Sequence, residues 1–394
     1  TGAAGSIIAG GLSGLWWDKS EELNGSKTDI LYTITDRGPQ ANDVPGTATN
    51  GAGEKLFDDP EFPLTIYKLG FDGDTVSVLD TITLKVPDGN GGFRNSTGIG
   101  ALDSHDLAFT PDGQGDYTEV ARDAFGLDSE SVLRLTIEGL NNGNAVFAVS
   151  DEYFPQVAIF DAATGNLIKR FVPEDTDFSA VAYEAGRGDV AAYTGKTLPA
   201  VYSDRRGNRG FEGLAFNSDD GLLYAFIQSP MRPDGYANST LRRILALDPI
   251  TGEAKAEYLY LQSGRGNQDK IGDAVYDASR GTFLAIDRDS GTALNSNKSV
   301  LEFDLRNATN VLDTNGRLLC VRFTVVFTPH GRGGCCLFAS AGGELRNRNH
   351  GFKSLSIKGL CLRRGGIWLL GTMRAFSYAA VRLMSDSTAC RRNH

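Results

Sequence analysis

Acidic side chains recur at matching positions along this sequence. Glu130 and Glu212 lie inside short apolar segments, whereas Asp36, Asp151 and Asp287 each follow directly after one. Carboxylates brought together repel one another unless protons or a cation neutralise them. Ca²⁺ is a hard cation that takes six to eight oxygen ligands. The pattern therefore predicts a calcium site whose ligands are Asp36, Glu130, Asp151, Glu152, Glu212 and Asp287. The alternative is that each aspartate only caps its own turn.

Arginines stand next to several of these acids, namely Arg37, Arg209 and Arg288. A guanidinium group offers a rigid fork of donors that matches a phosphate or a carboxylate. Together with a bound cation, such a set could hydrolyse a phosphoester or an ester. The predicted catalytic residues are Glu130, Glu212, Asp151, Arg37 and Arg209. The alternative for each arginine is an ion pair with the neighbouring acid.

The elements that must position these residues are short strands. Four apolar strands each end in a polar cluster, and an earlier short strand precedes each of them. The later strands are Ile30 to Thr35, Val146 to Ser150, Leu222 to Ile227 and Thr282 to Ile286. The earlier strands begin at Leu12, Ser129, Phe211 and Ile271. In a propeller the first strand of each blade lines a central channel, so polar residues of equivalent first strands are expected to meet there.

Two Asp-x-x-Thr-Gly segments extend this pattern to complete units. Asp161 to Gly165 and Asp248 to Gly252 each follow a third strand and precede a fourth. Four antiparallel strands repeated along the chain are typical of β-propeller blades. The sequence thus predicts an all-β protein, a β-propeller of about six blades that is incomplete at the C-terminus. The alternative is a β-sandwich or two small β domains, although a sandwich has no such internal period.

Charge and cysteine content divide the chain near Gly316. Residues 1–316 carry 26 Lys and Arg against 47 Asp and Glu, whereas residues 317–394 carry 13 against 2 and contain all five cysteines. We therefore predict a propeller domain at 1–316 and an atypical basic tail at 317–394. The tail is expected to be poorly ordered or the product of a frameshift. The cysteine spacings match no zinc-binding pattern.

Composition also limits the partners and the location. The acidic body would repel the phosphates of nucleic acid, and no run of about 18 apolar residues predicts a membrane span. Asn-x-Ser/Thr sequons at Asn24, Asn95, Asn238, Asn297 and Asn307 favour a secreted glycoprotein. The chain starts at Thr1, so any signal peptide is expected to lie outside it.

Five segments, taken in order, resemble the phytase-like family named for an "esterase-like activity of phytase". They are Gly11 to Leu15, Thr35 to Pro39, Gly126 to Val132, Val149 to Tyr153 and Asn208 to Phe216. The resemblance covers roughly residues 8 to 312 and implies a propeller-type fold, an extracytoplasmic setting and a phosphoester or ester hydrolase activity. The sequence departs from the family at Gln228 and Asp287, where relatives tend to carry Glu, and after Asp313, where the family's ending is missing.

Three functions remain open at this stage. The first is a metal-assisted hydrolase of a small phosphorylated or ester substrate, the second a non-catalytic propeller that binds ligands or partners, and the third a lactonase or carboxylesterase. A Ser-His-Asp triad within the body would have to use His105, because it is the only histidine there. The sequence does not indicate an oligomeric state.

Overall fold

The computed structural model describes the side chains of nine stretches of the chain. These are residues 11–19, 29–40, 54–71, 74–100, 107–179, 190–235, 239–262, 270–291 and 298–312, and the backbone alone is described at Ala41, Asp72 and Ala180. Four further strands, described by their backbone alone, pair as two hairpins: β23 (Cys320–Arg322) with β24 (Ser340–Gly342), and β25 (Leu360–Arg363) with β26 (Gly366–Leu369). His105 and most of the predicted tail lie outside the described residues, so the boundary near Gly316 stays a prediction.

Four sheets repeat one antiparallel meander, as the sequence pattern predicts. The first contains β1 (Leu12–Asp18), β2 (Asp29–Thr35), β5 (Thr65–Asp72) and β6 (Thr75–Thr83). The second contains β11 (Ser129–Leu135), β12 (Val146–Asp151), β13 (Gln156–Asp161), β14 (Leu167–Pro173) and a parallel fifth strand, β15 (Thr194–Leu198). The third contains β16 (Phe211–Asn217), β17 (Leu222–Ile227), β18 (Leu241–Leu247) and β19 (Ala254–Leu261), and the fourth β20 (Lys270–Asp277), β21 (Thr282–Arg288) and β22 (Lys298–Phe303).

Two smaller sheets are formed by the segment between β2 and β5 together with the connection between the first and second sheets. One has the order β10 (Tyr117–Glu119), β9 (Leu107–Pro111), β4 (Glu54–Phe57) and β3 (Gln40–Ala41), with β4 and β9 parallel. The other is a hairpin of β7 (Lys85–Pro87) and β8 (Phe93–Asn95). Helical structure within the described residues is limited to α1 (Val190–Tyr193) and four single 3₁₀ turns. No helix among these residues has the length and apolarity needed to cross a membrane.

Apolar residues between successive sheets hold the sheets face to face. Ile34 of β2, Val132 of β11 and Phe147 of β12 share one core between the first and second sheets. Similar cores lie between the second and third sheets, and between the third and fourth. In each sheet the first strand is innermost, with β1 against β11, β11 against β16, and β16 against β20. This radial order of sheets, each of three to five strands, is the propeller architecture. The described sheets do not close into a ring, and the number of blades, about six, stays a prediction.

The two Asp-x-x-Thr-Gly segments form the hairpin turns that the sequence predicts. Asp161 Oδ1 accepts hydrogen bonds from the amides of Ala163 and Thr164, and Asp248 Oδ1 accepts from those of Ile250 and Thr251. These bonds fix the turn between the third and fourth strands of the second and third sheets. The two aspartates therefore have a local structural role.

The innermost strands approach one another closely at glycine. A Cβ added to Gly14 of β1 would lie 2.9 Å from Ser131 Cα and 3.0 Å from Glu130 O on β11. A Cβ on Gly213 of β16 would lie 2.8 Å from Gly272 O on β20. Because real Cβ atoms do not approach backbone this closely, residues without a side chain are required where the strands converge.

Replacing Gly14 with alanine tests this convergence. Gly14 and Gly113 both have positive φ, +62° and +78°, but a Cβ at Gly113 would meet nothing within 4 Å. Gly113→Ala should therefore cost only the left-handed backbone penalty, about 1–2 kcal/mol. Gly14→Ala should cost about 1–3 kcal/mol more through overpacking. Urea denaturation measures both variants, and equal losses of unfolding free energy would contradict the close approach of β1 and β11.

Candidate metal centre

A β-bulge interrupts each of the four innermost strands near its start. The register with the second strand shifts between Ser13 and Trp16, Ser129 and Val132, Phe211 and Gly213, and Ile271 and Ala274. Bulges turn a side chain out of the regular alternation of a strand. Glu130 lies within the bulge of β11 and Glu212 within that of β16. The bulges thus place these two side chains at the centre, where the innermost strands meet.

Five carboxylates gather there in two overlapping groups. Ligand oxygens of Glu130, Glu152 and Glu212 lie within 4.8 Å of one another, and so do those of Asp36, Asp128 and Glu130. Glu130 belongs to both groups. Asp128 is fully buried, Glu152 and Glu212 are each 5% exposed, and Asp36 and Glu130 are partly buried. We call these five residues the acidic centre.

Arg37 enters the acidic centre from the loop after β2. Its Nη2 lies 2.7 Å from Asp128 Oδ2 and 3.7 Å from Glu152 Oε2, and its Nε lies 3.6 Å from Asp36 Oδ1. The guanidinium carbon stands 5.0 Å from the centroid of the Tyr153 ring. Arg37 is only 6% exposed and is held by three carboxylates, so its positive charge compensates the carboxylates of the acidic centre.

Two further arginines and an amide hold the glutamates. Arg209 Nη1 donates to Glu152 Oε1 over 2.8 Å, and Arg288 Nη2 donates to Glu212 Oε1. Gln228 Nε2 donates to both glutamates, at 2.5 Å from Glu152 Oε1 and also to Glu212 Oε2. Arg209 and Arg288 remain 26% and 30% exposed, so their guanidinium groups still face solvent.

A relay of backbone hydrogen bonds joins the strand ends beneath these side chains. The amide of Glu152 donates to Asp128 O over 2.9 Å, and that of Gly210 donates to Glu152 O over 2.8 Å. The amide of Gln228 donates to Gly210 O, and that of Ile271 to Gln228 O. A Cβ on Gly210 would lie 2.5 Å from Asp151 O, so the relay needs glycine there. It ties the second, third and fourth sheets together at the acidic centre.

Burial and mutual repulsion raise the pKa of three carboxyl groups. Burial, together with the charges of Glu212 and Glu152, raises the pKa of Glu130 well above its ordinary value. Burial and the charge of Glu152 raise the pKa of Glu212 to about 7, although Arg288 opposes this shift. Burial raises the pKa of Asp128 despite the nearby guanidinium of Arg37. Without a cation, the centre therefore retains protons near neutral pH.

Several buried oxygen atoms of the centre accept no hydrogen bond within the described part of the chain. They are Asp128 Oδ1, Gln228 Oε1 and Asn208 Oδ1. A buried acceptor left unpaired costs about 1–3 kcal/mol. Carboxylate and amide oxygens are ligands that Ca²⁺ accepts. This set of donors fits a hard cation.

The structure does not bring two of the predicted ligands into the acidic centre. Asp151 is fully buried and accepts hydrogen bonds from Gln156 Nε2 and from the amide of Tyr153, at 2.7 Å. Asp287 accepts a hydrogen bond from Gln262, which in turn accepts one from Arg242. Neither aspartate belongs to the carboxylate groups described above, because each side chain is engaged by a glutamine: Gln156 of the same sheet holds Asp151, and Gln262, which follows β19 of the third sheet, holds Asp287. Burial raises the pKa of Asp151 to about 7.

Sequence reasoning missed Asp128 and Gln228 as members of the centre. Asp128 directly precedes β11 and stands two residues before Glu130, so its closeness to a predicted ligand was visible in the sequence. Gln228 follows β17 where the other sheets have an aspartate, and only the fold shows that its amide joins Glu152 to Glu212.

A model of the phytase-like family, described as "esterase-like activity of phytase", matches residues 7–323. This match spans most of the chain, and the protein belongs to that family. An uncharacterized secreted protein of Arthroderma benhamiae is 29% identical over 182 residues, which are 43% of this chain and 33% of the relative. The chain thus spans about a third of that relative.

Solved propellers align with the chain only distantly. The Dos1 propeller covers 88% of this chain and 87% of its own at 10% identity and a TM-score of 0.30. Sqt1 of Saccharomyces cerevisiae covers 81% of this chain and 69% of its own at 11% identity and a TM-score of 0.28. The hydrazine synthase of Kuenenia stuttgartiensis covers 67% and 66% at 10% identity and a TM-score of 0.29.

The raised pKa of Glu212 predicts a loss of stability with rising pH in EDTA. Between its ordinary value, 4.5, and about 7, the folded state holds a proton that the unfolded state releases. The stabilisation is fully present below pH 4.5 and is lost as the pH rises through about 7. Between pH 5 and pH 8, Glu212 should lower the free energy of unfolding of the unmodified protein by roughly 2–3 kcal/mol. Glu212→Gln should lack this part of the decrease. Urea denaturation at several pH values measures it.

The exposed Glu119→Gln is the matched control and should leave the pH dependence unchanged. Part of the slope should survive in Glu212→Gln, because Asp151 also has a raised pKa. A slope identical to that of the unmodified protein would contradict the shift at Glu212.

Proposed function

We propose that the protein is a secreted, phytase-like hydrolase that acts on phosphoester or ester bonds with Ca²⁺ held by its acidic centre. The observation that carries this proposal is that five carboxylates form two groups that share Glu130. Within each group, the ligand oxygens lie within 4.8 Å of one another. Membership of the phytase-like family supports the hydrolase class. The secreted relative and the five sequons support an extracellular location.

Charge balance supports a divalent cation. The five carboxylates of the acidic centre carry five negative charges when ionised, and Arg37, Arg209 and Arg288 contribute three positive charges through direct contacts. Five minus three leaves two negative charges in a largely buried place. Buried charge without compensation is strongly unfavourable. Two protons or one divalent cation would restore neutrality.

The ligands would be Glu130 with Glu152 and Glu212, and Asp36 with Asp128 on the other side of Glu130. A bound Ca²⁺ would polarise a phosphoryl or acyl oxygen and favour the ionised form of a bound water. Without a cation, burial raises the pKa of Glu212 to about 7. A bound Ca²⁺ would favour the ionised carboxylate, so Glu212 would act as a ligand. Asp151 would support the site indirectly, because its Oδ1 accepts the amide of Asp128 over 3.3 Å.

The arginines would bind the anionic part of the substrate. Arg209 and Arg288 each donate to a glutamate and remain partly exposed, so they offer further donors toward solvent. Arg37 is buried against three carboxylates and would hold the ligands rather than touch substrate. A planar guanidinium group suits the developing charge on a phosphoryl or acyl oxygen.

A non-catalytic propeller that binds a ligand or partner is the second candidate. The observation that favours it is the extent to which Glu152 and Glu212 are already engaged by Arg209, Arg288 and Gln228. A centre neutralised in this way can have a purely structural role. A lactonase or carboxylesterase is the third candidate, and it would use the same cation and arginines on an acyl substrate.

Cation binding is the first test. Ca²⁺ that binds only the folded state should raise the Tm by roughly 5–10 °C at about 100 times its Kd, relative to EDTA. Glu130→Gln should abolish most of this shift, because Glu130 belongs to both carboxylate groups. The exposed Glu119→Gln should retain it. Calorimetry measures the shift, and equal Tm values in Ca²⁺ and EDTA would rule out the proposed site.

Hydrolysis is the second test. Release of phosphate from phosphomonoesters, and turnover of p-nitrophenyl acyl esters and lactones, should require Ca²⁺ and stop in EDTA. Arg209→Lys keeps the charge but loses the fork, so kcat/KM should fall by roughly tenfold to a hundredfold. The exposed Arg306→Lys is the matched control. Cation binding without turnover of any of these substrates would favour the non-catalytic propeller.

A further inference from the structure

Asp273 lies inside the bulge of β20 and contacts every other innermost strand. Its Oδ1 accepts a hydrogen bond from Ser131 Oγ of β11 over 2.8 Å, and its Oδ2 accepts from the amide of Leu15 in β1 at 3.4 Å. The amide of Leu214 in β16 also donates to it, as does its own neighbour Ala274, at 2.9 Å. One side chain thus joins β1, β11, β16 and β20.

The residues that follow Ser13, Glu130 and Glu212 in the other three innermost strands are small. They are Gly14 in β1, Ser131 in β11 and Gly213 in β16. The two glycines have no room for a Cβ, as the close contacts with Ser131 and Gly272 indicate. Of these four positions, the one in β20 carries the longest side chain, Asp273. A carboxylate has two acceptor oxygens and can serve several donors that converge from different directions.

The groups that Asp273 holds are adjacent to the glutamates of the acidic centre. Ser131 directly follows Glu130, and Leu214 is two residues after Glu212. Both donors sit in or next to the bulges that turn those glutamates toward the centre. A shift of β11 or β16 would therefore move Glu130 or Glu212 by a similar distance.

We propose that Asp273 is a positioning residue, which fixes the bulges of β11 and β16 and thereby sets the spacing of Glu130 and Glu212. Its importance for cation binding rests on the proposed function, whereas its effect on the spacing does not. A residue that only stabilised the fold would lower the Tm without changing this spacing. The two roles can be separated by experiment.

The first experiment measures the Kd for Ca²⁺ by isothermal titration calorimetry. Asp273→Ala should weaken binding at least tenfold, whereas Asp273→Asn should stay within about threefold, because the amide oxygen can still accept a hydrogen bond from Ser131. Phe283→Leu, in the core between the third and fourth sheets, is the control for destabilisation. It should lower the Tm and leave the Kd unchanged. Equal Kd values for Asp273→Ala and the unmodified protein would overturn the proposal.

The second experiment measures the spacing without a cation. Residues 1–316 contain no cysteine, so Glu130→Cys and Glu212→Cys can be combined in a full-length chain whose five natural cysteines are replaced by serine. A short bifunctional thiol reagent should join the two positions. Adding Asp273→Ala should reduce the rate of cross-linking at least fivefold, and Phe283→Leu should leave it unchanged.

The two experiments fail in different ways. An unmodified protein that binds no Ca²⁺ would refute the proposed function, and the cross-linking rates would still decide the role of Asp273. An unchanged cross-linking rate in Asp273→Ala would refute the positioning role even if Ca²⁺ bound normally. Rescue of both readouts by Asp273→Asn would support it.

Discussion

The carboxylates of Glu130, Glu152 and Glu212 lie within 4.8 Å of one another because the strand segments that carry them converge, and their like charges oppose that convergence. The surrounding structure must outweigh this repulsion. Arginines and the Gln228 amide meet the glutamates from the side, while a relay of backbone hydrogen bonds fixes the strand ends beneath them. Burial first, and then the repulsion between these carboxylates, raises the pKa values of Glu130 and Glu212 despite these partners.

The apolar layers between the sheets supply the opposing free energy. Each pair of neighbouring sheets in the described arc encloses its own core, and the innermost strands take part in these cores through their inward apolar residues, such as Val132 and Leu214. Burial of apolar area at roughly 25 cal/mol per Å² accumulates over whole sheets. The repulsion within the acidic centre, by contrast, involves only a few residues. A propeller can therefore hold charged groups together at its axis without losing its stability, as long as the close contacts at Gly14 and Gly213 are kept.

Aspartates at equivalent positions of the repeated unit differ in role: some have only a structural role, and one belongs to the candidate metal centre. Asp151 and Asp287 lie at or next to the last residue of the second strand of their sheets, yet each is engaged by a glutamine outside the acidic centre. Asp36 ends its strand in the same way and does join the centre. The difference arises from the partners, since Asp36 is followed by Arg37, which draws Asp128 and Glu152 together beside it. Equivalent places in a repeated unit can thus have different roles in different blades.

The sequence by itself determined the strand order, the turns and the repeated four-stranded unit, because alternating apolar residues and Asp-x-x-Thr-Gly turns act over a few residues at a time. It also determined that Glu130 and Glu212 would meet, since both occupy the same place in equivalent strands. Only the tertiary structure decided that Asp128 and Gln228 belong to the acidic centre and that Asp151 and Asp287 do not. The direction of those side chains depends on bulges and on contacts between residues far apart in the chain. Neither can be predicted from the local sequence pattern.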